Sequence, residues 1–151
     1  MRTVVAAKPH DIHVTGANSH YRGSITLDSD QCTSEGILPM EFVDIWTKNS
    51  WARISANVIF GAPASRRWAL HGAAAHTCQV GDQIIVRGST YLDEKEIAPL
   101  RPRILAFDRD KCIADRMTYP VTRDRTDRYC FETLGEAGDV KPIPLRCAES
   151  N

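Results

Sequence analysis

The feature that most restricts the fold is a set of short segments in which apolar and polar residues alternate with period two, at residues 11–15, 41–46, 53–59 and 83–87. Such alternation sends successive side chains to opposite faces of an extended strand. Turn signals divide the segments: Tyr21-Arg22-Gly23-Ser24, Gly61-Ala62-Pro63 and Val80-Gly81-Asp82. Many short strands interrupted by turns predict a mainly β chain, a small barrel or sandwich. One helix is expected, over residues 29–35, where Asp28 can cap the start and Gly36 can take the left-handed closing position. Helices are accessory in this reading.

Length and composition set the outer limits. A chain of 151 residues, 42% hydrophobic and 25% charged, suits one domain with a real core. Its formal net charge of zero gives no basic surplus to draw it to nucleic acid or to an anionic membrane. The N-terminal run before Lys8 is too short for a signal peptide or a membrane span, so a cytoplasmic address is expected. Cys32, Cys78, Cys112, Cys130 and Cys147 are odd in number and widely spaced, which predicts reduced thiols rather than a disulfide framework. From Thr122 onward the chain becomes rich in charge, Gly and Pro and loses its periodicity. Residues 1–121 are therefore expected to form the barrel, and residues 122–151 an extension that is partly disordered or wraps a neighbour.

Gly-Ser is a common loop dipeptide, yet at Gly23-Ser24 it permits a specific chemistry. A serine hydroxyl beside a strained peptide bond can attack the preceding carbonyl and turn the amide into an ester, and glycine tolerates the backbone geometry this needs. β-Elimination would then release a carboxylate on Gly23 and leave dehydroalanine at position 24, whose hydrolysis gives an N-terminal pyruvoyl group. The ketone of that group can form an imine with a substrate amine and draw electrons as a carboxylate departs.

The segments KPHDIHVT at 8–15, HYRGS at 20–24, GILPMEFVDIW at 36–46, HGAAAH at 71–76, GDQIIV at 81–86 and RPRILAF at 101–107 resemble, in order and spacing, the pyruvoyl-dependent aspartate 1-decarboxylases of bacteria. The resemblance covers nearly all of residues 1–121. It implies a double-psi β-barrel that assembles as a homotetramer with active sites between subunits, and decarboxylation of L-aspartate, or a close acidic analogue, to β-alanine. Ser24 would become the covalent pyruvoyl cofactor and Gly23 the end of the small chain. Arg53 falls where the family binds a substrate carboxylate, a task suited to the two parallel donors of a guanidinium. Lys8 would add a second positive charge, His10 and Tyr21 would line the pocket, and Gly72, Ala73, Ala74 and Ala75 would let the substrate approach closely. Trp46 is expected in the core rather than in the site.

This chain departs from the family pattern at the chemistry. Ala56 and Asn57 stand where the family has a processing threonine and a proton-donating tyrosine, and His71 stands in place of an oxyanion-binding asparagine. Neither a methyl group nor a primary amide replaces a phenol as an acid. His71 could still donate to an oxyanion, or supply the missing proton if its pKa stays near the usual value of about 6.5. Tyr21, His10 or a water held by Asn57 are the other routes. Arg53, Ser55 and Asn57 should share one strand face, the outer two about 13 Å apart at the backbone. A maturation factor is an open partner for cleavage. Three readings compete with the active decarboxylase: an uncleaved, silent homologue acting as a binding or scaffolding subunit, an N-terminal serine hydrolase, and a metal site at His71, His76 and Cys78, which lacks an evident fourth ligand.

Overall fold

A computed structural model describes residues 1–140. Its elements in chain order are β1 (Arg2–His10), β2 (Ile12–His13), β3 (Gly16–Asn18), β4 (Ser24–Asp28), α1 (Ser29–Glu35), β5 (Phe42–Thr47), β6 (Arg53–Gly61) and β7 (Trp68–His71). A 3-10 segment (Gly72–Thr77) follows, then β8 (Gln83–Leu92), α2 (Glu94–Ile97), β9 (Arg103–Phe107), β10 (Ile113–Thr118), β11 (Val121–Arg123), β12 (Tyr129–Phe131) and β13 (Leu134–Gly135). The chain is mainly β, as its periodicity predicts. Eleven strands form one mixed sheet in the order β13-β10-β9-β1-β8-β5-β6-β4-β7-β3, with β2 attached to β8. The parallel pairs are β1 with β9, β3 with β7 and β4 with β6. This mixed pairing with short helices agrees with the expected double-psi β-barrel.

Strand parity builds the core. On β5, Val43, Ile45 and Thr47 turn inward, and on β8, Ile84 and Val86 do the same. β4 is buried at all five residues because β6 and β7 flank it, with Ile25 and Leu27 fully enclosed. α1 starts and stops where predicted. The Asp28 carboxylate accepts from the backbone N–H of Asp30 at 2.9 Å, and Gly36 closes the helix at φ 75°. The last residue of α1, Glu35, has both carboxyl oxygens buried without a hydrogen-bond partner among the described residues, and burial pushes its pKa up to about 9.

Two expectations change. The strand expected over residues 11–15 is only Ile12–His13, because Asp11 at φ 61° breaks the extended chain. The long strand is β1, in the N-terminal run. Trp46 is not a core residue: it has the outward parity of Asp44, and the guanidinium carbons of Arg53 and Arg87 each lie 5.3 Å from its ring. In the segment read as an extension, β11 pairs with β12 and β13 pairs with β10, and Tyr119 and Phe131 meet at 5.3 Å between ring centroids. Residues 141–151 lie outside the described residues, as does Cys147, whereas Cys32, Cys78, Cys112 and Cys130 are free thiols. Among the described residues no helix is long and apolar enough to cross a membrane.

Candidate active site

The antiparallel pairing of β4 with β7 sets Ser24 directly opposite His71. Directly opposed residues send their side chains to the same face, and on that face Thr26, two residues after Ser24, joins them. The Thr26 hydroxyl is 2.9 Å from Nε2 of His71. The other ring nitrogen, Nδ1, is buried and has no partner among the described residues. Ile25 and Leu70 occupy the opposite face, in the core.

Ser24 is 1% exposed and His71 6%. The Ser24 hydroxyl donates weakly to the carbonyl of Arg22 at 3.4 Å, so it stays close to the backbone just ahead of it. The Tyr21 ring covers His71 at 5.1 Å between centroids, while remaining largely exposed itself. Gly72 shows why its neighbourhood tolerates no side chain. With φ at 65°, a Cβ at this position would lie 2.7 Å from both N and Cα of Gly23 and 2.8 Å from the carbonyl oxygen of Tyr21. Two backbones are therefore in close contact at Gly23, on the N-terminal side of the Gly23–Ser24 bond. Of the alanines that follow, Ala74 and Ala75 are buried and Ala73 is exposed.

Asn57 reaches the same face from the other side. The parallel register pairs Ile25 with Val58, which brings Asn57, one residue earlier, alongside Ser24. Its amide makes a long contact of 3.9 Å to the sulfur of Met40. The cluster assembled within one chain is thus Tyr21, Gly23, Ser24, Thr26, Asn57, His71 and Gly72. Thr26 has no place in the sequence reading. Its signal was available, since a strand beginning at Ser24 puts residue 26 on the same face.

Burial lowers the pKa of His71, and the positive charge of Arg67 adds to the effect. At neutral pH this disfavours the imidazolium, the form that an unshifted value would partly populate. A neutral imidazole remains, one nitrogen carrying a proton and the other a lone pair. Among the described residues no group of three or more His, Cys, Asp or Glu is placed to hold a metal ion.

Lys8, His10 and Arg53 lie apart from this cluster. Arg53 opens β6 four residues before Asn57, exposed and stacked on Trp46. Lys8 and His10 sit on β1, which β8, β5 and β6 separate from β4 in the sheet. The His10 ring lies 3.2 Å from the Asp11 carboxylate, yet burial wins and its pKa is lowered. Among the described residues no hydrogen bond, ion pair or ring contact joins these three to Ser24.

The family model for aspartate decarboxylase matches residues 1–114. The chain is 59% identical to aspartate 1-decarboxylase 2 of Mesorhizobium japonicum, over 95% of this chain and 96% of that protein. It is 54% identical to the aspartate 1-decarboxylase of Xanthobacter autotrophicus, over 99% of this chain and 100% of that one. With a sheet that buries Ser24 against His71, and matches that run nearly end to end, the chain belongs to the aspartate decarboxylase family.

Proposed function

We propose that the chain is a self-processing, pyruvoyl-dependent aspartate 1-decarboxylase that converts L-aspartate to β-alanine and CO2. The observation that carries the reading is the setting of the Gly23–Ser24 bond, pressed against the Gly72 backbone and enclosed beside His71. This enclosure fits a group made from Ser24. The nucleophile is dry, its neighbours are small, and a nitrogen able to give or take a proton stands opposite it.

Maturation proceeds by attack of the Ser24 hydroxyl oxygen on the Gly23 carbonyl carbon. The amide C–N bond breaks as its nitrogen takes the hydroxyl proton, leaving an ester and a free amine. Loss of the Ser24 α-proton then breaks the Cβ–O bond, which frees the Gly23 carboxylate and leaves dehydroalanine. Addition of water with loss of ammonia completes the pyruvoyl group. That group supplies a ketone and an adjacent amide carbonyl that take up the electrons released as the substrate's α-carboxylate leaves.

The chain's own residues do the rest. Arg53 grips a substrate carboxylate through its fork of donors and Lys8 balances the second negative charge. Because these residues lie away from Ser24 within one chain, the reading places a complete site between subunits of a homotetramer. Leu38, Met40 and Phe42, each at least 66% exposed and close to Asn57 along the sheet, are apolar surface that such assembly would cover. With a neutral His71, the exposed Tyr21 phenol is the better proton donor for the carbanion left by decarboxylation.

Intact-mass measurement tests the reading. Purified protein should consist of residues 1–23 and residues 24–151, the larger chain blocked to Edman degradation and active on L-aspartate. Ser24→Ala should remain whole and inactive. A wild-type chain that stays whole would reject the proposal, and a larger chain beginning with serine would favour a hydrolase.

A further inference from the structure

We propose that Thr26 is a positioning residue for self-cleavage: it holds the His71 ring by Nε2 and so leaves Nδ1 as the nitrogen that serves the Gly23–Ser24 bond. The inference rests on the reading that this bond is the one broken.

The ring is fixed from two sides. Thr26 meets Nε2 at 2.9 Å, and Tyr21 packs on the ring at 5.1 Å. Thr26 is itself 9% exposed, so water competes little for its hydroxyl. A buried polar nitrogen left without a partner is costly. Nδ1 is such an atom, on the residue paired with Ser24 and next in sequence to the glycine that touches Gly23. A structural histidine would be expected to satisfy both nitrogens. Here one is satisfied and the other is left without a partner among the described residues, on the residue paired across the strands with Ser24.

A hydroxyl is the partner that suits a ring with two tasks, because it both donates and accepts. When Thr26 accepts from Nε2–H, Nδ1 carries a lone pair and can take the Ser24 hydroxyl proton as the oxygen–carbon bond forms. The same proton then passes to the amide nitrogen as the Gly23 carbon–nitrogen bond breaks, so the ring ends as it began. When Thr26 donates to Nε2, Nδ1 carries the proton and can donate to the oxyanion formed from the Gly23 carbonyl. Passing between these states moves one proton from one ring nitrogen to the other; the Thr26 hydroxyl turns to match, and the ring itself need not move. The lowered pKa of His71 keeps it in the neutral form, in which both tautomers exist.

The test follows cleavage of freshly purified full-length chain by intact mass across pH 5–9 in wild type, Thr26→Val and Thr26→Ser. Valine keeps the shape and loses the hydroxyl, and cleavage should slow roughly 100-fold, the low end of what a placed acid–base group contributes. It should also lose or shift the pH limb that His71→Ala abolishes. Serine restores the hydroxyl and should return cleavage to within a few-fold of wild type. In an uncleavable Ser24→Ala background, the imidazole nitrogen shifts of His71 should change with Thr26→Val and be kept with Thr26→Ser. Wild-type cleavage in Thr26→Val, or a Thr26→Ser variant as slow as valine with its fold intact by circular dichroism, would overturn the role of Thr26 alone. A wild-type chain that never cleaves would overturn this inference together with the reading beneath it.

Discussion

Two regions of one strand system are built in opposite ways. Around Ser24 and His71 the surroundings are buried and crowded, with backbone against backbone at Gly23 and Gly72. Along the outer face of β5, β6 and β8, Arg53 and Arg87 lie over Trp46, and Asp44 bonds both Ser55 and Arg87. That region is open and charged. In the proposed function the contrast follows from what each would do. Rearranging a peptide bond needs fixed atoms and excluded water, whereas capturing an amino acid with two carboxylates needs accessible cations. β6 belongs to both, carrying Arg53 at its start and Asn57 beside Ser24.

The two regions should separate under mutation. Arg53→Ala is expected to leave cleavage unchanged and lower kcat/KM for L-aspartate by about 10–100-fold, the value of a charge-assisted hydrogen bond of roughly 1.5–3 kcal/mol. Steady-state kinetics on fully cleaved protein decides it, and unchanged turnover would remove Arg53 from substrate binding. Gly72→Ala strikes the other region. A left-handed alanine costs roughly 1–2 kcal/mol before its Cβ meets Gly23, so cleavage should slow and the Tm fall by several degrees. Normal cleavage in this variant would break the claim that backbone contact prepares the bond.

Asp44→Asn should have the smallest effect. The Ser55 hydroxyl first, and then Arg87, hold the Asp44 carboxyl below the usual carboxylate range. A depressed carboxyl stabilises the fold above its unfolded pKa, and that contribution disappears as pH falls through the folded value. Wild type and Asp44→Asn should therefore differ near neutrality by about 0.2–1 kcal/mol, as for partly exposed ion pairs, and converge in acid. Thermal unfolding at pH 3 and pH 7 checks this. Cleavage should be unaffected, and an effect on it would link the two regions.

The parts of this organisation written in local pattern were legible beforehand. Period two gave β5, β6 and β8, and Asp28 and Gly36 bounded α1 within a residue, because strand alternation and helix capping are properties of neighbouring residues. Trp46 turns outward although an aromatic ring on a strand reads as core until its parity is fixed against Val43 and Ile45. The strand Arg2–His10 was missed because a run of small and apolar residues without clear alternation does not announce itself as extended.

By itself the sequence determined that the chain is β-rich, that a Gly-Ser bond lies at a turn, and which residue types flank it. Only the tertiary structure decided that Ser24 faces His71, that Thr26 takes one of its nitrogens, and that Lys8 and Arg53 lie elsewhere. Residues 24 and 71 meet through strand register, and register is set by packing over the whole sheet rather than by any local signal.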